Sequence, residues 1–192
     1  MSRIRKILGT LLFFSCLSGT LLLGVQATTG NGAEKSPAGA KTTLKGVIVT
    51  EEDLLYEKEC GSCHFPYQPW WLPERSWEKL MSGLQNHFGE SAELTPATQQ
   101  QLTGWLRNHA AEHSTIGRAR GMLRSIKADA TPLRITESGY FRRKHHELPR
   151  QVWQENPAVR SLARCDACHP RAELGSFNEH EVKIPGVGRW DD

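Results

Sequence analysis

Two short segments of this 192-residue chain carry the same arrangement of residues that bind metals and form covalent bonds. Residues 60–64 read Cys-Gly-Ser-Cys-His and residues 165–169 read Cys-Asp-Ala-Cys-His. Two thiols at this spacing can each add to one vinyl group of a haem, and the adjacent histidine then lies beneath the iron as its proximal ligand. The pattern therefore predicts two covalently bound haem c groups. Their attachment and proximal residues are Cys60, Cys63, His64, Cys165, Cys168 and His169.

Two other kinds of site use paired cysteines, and neither explains both segments. A thioredoxin-like Cys-x-x-Cys lies near a βαβ unit, and no alternation of strand and helix patterns surrounds either segment. A structural zinc site could use both pairs, but it would not need a histidine directly after each. Haem attachment accounts for all six residues and for every cysteine except Cys16.

The first 27 residues have the features of an export signal. Arg3, Arg5 and Lys6 precede an apolar stretch over 7–25, and short residues before position 28 favour cleavage near Ala27. An uncleaved N-terminal membrane anchor is the alternative, because the stretch is close to the length of a membrane span. Export to the periplasm agrees with the motifs, since haem c is attached outside the cytoplasm.

The net charge of +3 comes from this N-terminal segment. Residues 1–27 contain three basic residues and no acidic one, so the remaining chain has 21 basic and 21 acidic residues. Nucleic-acid binding needs a concentrated positive face. The composition therefore argues against nucleic acid as a partner.

The elements that must position the two motifs are predicted to be mainly helical, with few or no strands. After a flexible linker over 28–45, apolar periodicity predicts helices over 51–60, 73–88, 95–113 and 138–148. A last helix beginning near residue 156 is expected to lead into the second motif, followed by a loop-like tail from 170. The region 115–135 has a weak pattern. We expect two haem domains, over 46–130 and 131–192.

The distal iron ligands must come from residues outside the motifs. For the first haem the best candidate is His87, placed on the apolar side of the predicted 73–88 helix, with His109 as its competitor. Met81 lies within the same apolar stripe and is expected to pack in the core. Met122 falls in a basic segment without apolar neighbours.

For the second haem, His145 is favoured over the adjacent His146. On a helix, His145 shares a face with Phe141, whereas His146 points towards arginines. His180, in the tail, is the rival because its loop could fold back over the haem.

The chain resembles the small exported dihaem cytochromes c that donate electrons to an oxygen-binding monohaem cytochrome c of the sphaeroides haem protein type. The resemblance extends from about Leu54 to Gly188. It implies two low-spin haems with two histidine ligands each, which pairs His64 with His87 and His169 with His145. It also implies an N-terminal domain similar to class I cytochrome c and a smaller C-terminal haem domain. The segments that carry the resemblance are 59–64, 77–90, 132–136, 143–145, 163–169 and 184–187.

These features predict a periplasmic carrier that passes electrons from a membrane quinol-oxidising system to a terminal haem protein. Its partners would be redox proteins, including a membrane cytochrome, and transient contact with the membrane side fits this role. A haem enzyme, such as a peroxidase or reductase, is an alternative that needs one open iron site. A haem-based sensor or binding subunit is another, and it would need an obligate partner.

Overall fold

The computed structural model describes residues 42–44 and 47–190, and these fall within a single compact unit. The predicted export signal, its cleavage position near Ala27 and most of the predicted linker lie outside the described residues. The end of that linker forms strand β1, Thr42–Leu44, which pairs antiparallel with β2, Val47–Val49.

The described part of the chain is mainly helical, which confirms the predicted fold class. Its strands are all short, and the last two, β3 (Lys183–Ile184) and β4 (Gly188–Arg189), form an antiparallel pair within the predicted loop-like tail. None of the helices in the described residues is long and apolar enough to cross a membrane. The α-helices of this region are α1 (Glu51–Gly61), α2 (Glu74–Met81), α3 (Pro96–Asn108), α4 (Gly117–Arg124), α5 (Gly139–His145), α6 (Arg150–Trp153) and α7 (Cys165–Cys168).

Helix α1 carries the first attachment cysteine in its last turn. Its N-terminus is closed by a capping box, in which the Asp53 amide donates to the Thr50 hydroxyl and the Thr50 amide donates to the Asp53 carboxylate. The buried Tyr56 packs its ring against Trp105 of α3, with ring centres 4.9 Å apart. These contacts fix the direction in which the chain leaves α1 towards Cys63 and His64.

A core rich in aromatic residues joins the N-terminal helices. Leu102 and Leu106 of α3 are completely buried against α2, and the indole of Trp77 donates to the carbonyl of Pro69 at 2.7 Å. Met81 is buried in this core, as predicted. The expectation that Met122 lacks apolar neighbours is wrong. It lies in the same core and is fully buried, because α4 turns its apolar side inwards.

Helix α2 is shorter than the predicted helix over 73–88. It ends at Met81, where the Ser82 hydroxyl donates to the carbonyl of Lys79 and Gly83 has a low helix propensity. A 3₁₀ turn over Leu84–Asn86 follows, so His87 lies on an irregular segment and not on a helix. The helix predicted over 95–113 likewise ends at Asn108 and is followed by a 3₁₀ turn over Ala111–His113.

The predicted helix from residue 156 into the second motif is absent. The side chain of Asn156 accepts a hydrogen bond from the amide of Ala158, and the hydroxyl of Ser161 accepts one from the amide of Ala163. These local bonds favour turns over helix, and Arg160 has a positive φ of 63°. The helix therefore begins only at Cys165, within the motif itself.

Candidate functional site

The imidazole rings of His64 and His87 lie next to each other in the N-terminal half of the fold. Their centres are 6.1 Å apart and their planes differ by only 17°. A metal–imidazole bond is about 2 Å long, so two imidazoles on opposite sides of one metal ion have ring centres roughly 6 Å apart. Nδ1 of His64 lies 2.7 Å from the carbonyl oxygen of Phe65. With the proton on Nδ1, this bond leaves Nε2 available to a metal.

A tight turn presents His87. Its amide donates to the carbonyl of Glu90 at 2.7 Å, and the amide of Glu90 donates back to the carbonyl of His87 at 3.3 Å. Between them, Phe88 has a positive φ of 58° and Gly89 one of 105°, a conformation that glycine adopts without strain. The amide of Gly89 also donates to the side chain of Asn86. The structure places His87, the predicted distal ligand of the first haem, beside His64, on a turn and not on the predicted helix.

The surroundings of His87 include a cation from the C-terminal half of the chain. The guanidinium of Arg134 lies 3.9 Å from the centre of the Phe88 ring, a cation–π contact, and the Phe88 ring itself packs edge-on against His87. Burial lowers the pKa of His87, and the charges of His64 and Arg134 lower it further. The neutral imidazole that metal binding requires is thereby favoured.

The second pair consists of His169 and His145. Their ring centres are 6.2 Å apart, the same separation as in the first pair, but their planes differ by 78°. The ring of His145 stacks on Phe141 at 3.9 Å with an angle of 12°, and its Nδ1 lies 2.9 Å from the Phe141 carbonyl. Both contacts are between residues four apart on α5, whose start is capped by the Ser138 hydroxyl.

A cavity of about 400 Å³ lies beside this pair, a size suited to a small cofactor. Burial lowers the pKa of His169 to about 4, with the charges of His145 and Arg118 adding to the effect, and its Nδ1 is buried without a hydrogen-bond partner among the described residues. The lining mixes aromatic and aliphatic side chains with cations that could pair with carboxylates of a bound group, and it includes Trp71, Phe177, Ile184, Arg118, Arg143 and Arg164.

The four motif cysteines are free thiols in the structure. Burial raises the pKa of Cys60 to about 11 and that of Cys165 to about 12, with nearby acidic groups adding to both shifts. Two thiols and a histidine in each motif, beside a second histidine, fit covalent attachment of haem, which consumes each thiol in a thioether bond. The residues present at both sites therefore fit a haem held by two cysteines and two histidines.

None of the competing histidines pairs with a motif histidine, although His146 lines the second cavity. The exposed His109 packs against the ring of Trp105 at 4.9 Å and bonds to its carbonyl. His146 is exposed and pairs with Glu147, and His180 lies on a 3₁₀ turn outside the lining of the second cavity. The structure therefore brings together His64 with His87 and His145 with His169, and brings none of the competitors into either pair.

Sequence reasoning missed two long-range contacts close to these pairs. Arg134 lies far along the chain from Phe88, and no local pattern links the two. Tyr67 packs its ring 5.3 Å from that of His64, while its hydroxyl reaches the segment before the second motif. Burial raises the pKa of Tyr67 to about 12. The nearby Cys165 and Asp166 of the second motif contribute to this rise in pKa.

Comparisons with known proteins agree with two haem-attachment motifs in one chain. The family model described as dihaem cytochrome c matches residues 56–177. The chain is 38% identical to the diheme cytochrome type c from Shewanella baltica OS155, over 73% of this chain and 98% of that one, with a TM-score of 0.61. It is 44% identical to a diheme cytochrome c from Rhodobacter sphaeroides, over 65% of this chain and 96% of that one, with a TM-score of 0.59. No curated protein sequence matches the chain significantly.

Proposed function

Because this chain belongs to the dihaem cytochrome c family, with two covalently bound haem c groups and an electron-carrier role, we propose that it is a periplasmic carrier with two bis-histidine haems. His64 and His87 ligate the first iron, and His169 and His145 ligate the second. Cys60, Cys63, Cys165 and Cys168 form the thioether bonds. The protein takes electrons from a membrane quinol-oxidising system and passes them to a terminal haem protein.

The observation that carries this proposal is the equal spacing of the two histidine pairs. Each pair joins one motif histidine to one from outside the motifs, at ring separations of 6.1 Å and 6.2 Å. Both separations match two imidazoles on one metal ion. With two histidines on each iron, a bound haem would have no free position for oxygen or peroxide, which favours electron transfer over haem-enzyme chemistry.

The chain's own residues hold the histidine rings, raise the basicity of the imidazoles and exclude water at these sites. The haem supplies reversible one-electron chemistry when it is bound. The protein holds the histidine rings in place through hydrogen bonds from Nδ1 of His64 and His145 to backbone carbonyls, and such bonds also raise the basicity of a ligating imidazole. Buried aromatic side chains, including Trp71 and Phe141, keep water from the second site.

The location and the direction of transfer are supported by the sequence. An export signal over 1–27 and attached haem c both fit the periplasm, and a retained N-terminal anchor would hold the same carrier at the membrane. The resemblance to donors of oxygen-binding monohaem cytochromes supports a terminal haem protein as acceptor.

A basic surface on α5 supports docking to an acidic redox partner. Arg142, Arg143 and Lys144 are consecutive and exposed, and the last two also line the second cavity. Positive charge at this place would speed association with an acidic face and make it sensitive to salt. Replacing Arg142 and Arg143 by glutamine should slow electron transfer to an oxygen-binding monohaem cytochrome c at low salt. Replacing the exposed Arg160 by glutamine serves as the control and should have little effect.

The ligand assignment is tested by spectroscopy on the holoprotein. The oxidised wild type should show two low-spin haems by electron paramagnetic resonance, and the reduced form should not bind carbon monoxide rapidly. His87→Ala and His145→Ala should each convert one haem to a high-spin form that binds carbon monoxide, whereas His109→Ala should not. Rapid binding of carbon monoxide to the wild type would refute the carrier with two closed sites and favour a haem enzyme.

A further inference from the structure

Two adjacent residues beyond the first motif form hydrogen bonds on both sides of the second. The hydroxyl of Tyr67 donates to the carbonyl of Ala163 at 2.7 Å, and the side-chain amide of Gln68 donates to the carbonyl of Ala172 at 2.6 Å. Ala163 lies two residues before Cys165, and Ala172 lies three residues after the motif ends. We call Tyr67 and Gln68 the clamp.

The clamp is anchored equally firmly to the first motif. The ring of Tyr67 packs against that of His64, and its backbone carbonyl accepts a 2.6 Å hydrogen bond from the hydroxyl of the buried Tyr56 in α1. The carbonyl of Gln68 accepts from the amide of Trp71, which begins the chain's path into the core. Tyr67 is therefore held by the helix that carries the first attachment cysteine, and Gln68 by the 3₁₀ turn over Pro69–Trp71 that follows it.

The remaining contacts near the clamp constrain the second motif less. Trp70 and Trp71 meet Phe177 edge-on, at 6.0 and 5.0 Å between ring centres, and Phe177 in turn contacts His169. Edge-to-face ring contacts hold over centroid distances of about 4.5–7 Å, so small sliding movements leave them intact. Hydrogen bonds at 2.6–2.7 Å depend steeply on angle and distance. The directional ties from the clamp are the ones suited to fixing one motif against the other.

The hydrogen bond from Gln68 to Ala172 forms at the expense of burying a polar atom. Its side-chain oxygen is buried without a hydrogen-bond partner among the described residues. A buried polar atom left unpaired is unfavourable. An aliphatic side chain of similar size would avoid this penalty but would lose the bond to Ala172.

We propose that Tyr67 and Gln68 are positioning residues that set the distance and orientation between the two haems, and so the rate of electron exchange and the redox interaction between them. This inference rests on the proposed function, because it assumes that the two motifs carry the haems between which electrons move. The two residues touch the attachment motifs through Ala163, Ala172 and His64, and neither is an iron ligand.

The experiment compares Tyr67→Phe and Gln68→Leu with the matched control Gln99→Leu in the holoprotein. Gln99 is half-buried like Gln68, and its amide donates to the carbonyl of Met81 at the same distance of 2.6 Å. That bond joins α3 to the end of α2 and does not reach the second motif. Gln68→Leu should therefore lower the melting temperature no more than Gln99→Leu does.

Two measurements separate positioning from stability. Electron equilibration between the haems is followed after rapid partial reduction, and a redox titration monitored by paramagnetic resonance gives the shift in potential of one haem when the other is reduced. Both clamp variants should slow equilibration several-fold and alter that shift while their low-spin signals persist, and Gln99→Leu should match the wild type.

The inference would be overturned if both clamp variants kept the wild-type rate of equilibration and the wild-type redox interaction. It would also be overturned if Gln99→Leu changed these two quantities as much as the clamp variants do. The low-spin signals of the wild type report separately on the iron ligands. A failure of the ligand assignment is thereby distinguishable from a failure of the clamp.

Discussion

The angle between the two imidazole planes differs sharply between the sites, and Phe141 is the residue that we expect to maintain it at the second site. The planes of His145 and His169 differ by 78°, whereas those of His64 and His87 differ by 17°. Parallel imidazoles interact with the same iron d orbital and split the d levels strongly. Perpendicular imidazoles interact with two d orbitals alike and leave them nearly equal in energy. The oxidised protein should therefore show two different low-spin signals of equal intensity, one rhombic and one dominated by a single large g value.

The proposed change is Phe141→Leu, which removes the aromatic surface against the His145 ring. A stacked aromatic contact contributes about 1 kcal/mol beyond area burial, which corresponds to a roughly fivefold preference for the observed ring orientation. The hydrogen bond from His145 to residue 141 uses the backbone carbonyl, so it survives the change. The ring should keep its place as a ligand while its plane becomes less confined. The substitution should also cost about 1–2 kcal/mol of stability, because Phe141 is buried.

The assay is paramagnetic resonance of the frozen oxidised holoprotein. In Phe141→Leu, the signal with the large g value should broaden or move towards the rhombic type, and the rhombic signal of the first haem should be unchanged. Phe88→Leu is the reciprocal control, because Phe88 contacts His87 and is 45% exposed. Two identical rhombic signals in the wild type, or an unchanged second signal in Phe141→Leu, would refute the reasoning.

Three further predictions concern stability and potential. Gly121→Ala should destabilise the protein by about 1–3 kcal/mol in chemical unfolding, because an added Cβ would lie 2.6 Å from the ring of Tyr140. The control Gly104→Ala places its Cβ in open space and should be neutral or stabilising. Equal effects of the two substitutions on stability would contradict the close packing at Gly121. Thr50→Ala should cost about 1 kcal/mol in the same assay, through loss of the cap on α1, and an unchanged midpoint would argue against that cap. Arg134→Gln should lower the potential of the first haem only, since a nearby cation favours the reduced state, and Arg134→Lys should have a smaller effect in a redox titration. A shift confined to the second haem would contradict the position of Arg134.

Several features could be read from the sequence because they depend on neighbours along the chain. The capped start of α1 is local, since Thr50 and Asp53 satisfy each other's backbone groups. The face that a residue takes on a helix follows from spacing, which is why Phe141 and His145 could be placed together. The helix predicted from residue 156 failed for an equally local reason, because the side-chain bonds of Asn156 and Ser161 compete with helix, and periodicity does not report such bonds.

The chemistry of attachment is encoded locally, because two thioether bonds and a proximal ligand need only five consecutive residues in each motif. The mainly helical class is also encoded locally, through periodicity and caps. By contrast, the approach of His87 to His64 from a turn beyond the end of α2, and the burial of Met122, follow from how the elements pack together. The two ring angles and the ties from Tyr67 and Gln68 likewise arise from residues that are distant in sequence. Their geometry depends on how the whole core packs, and spacing along the chain carries no information about it.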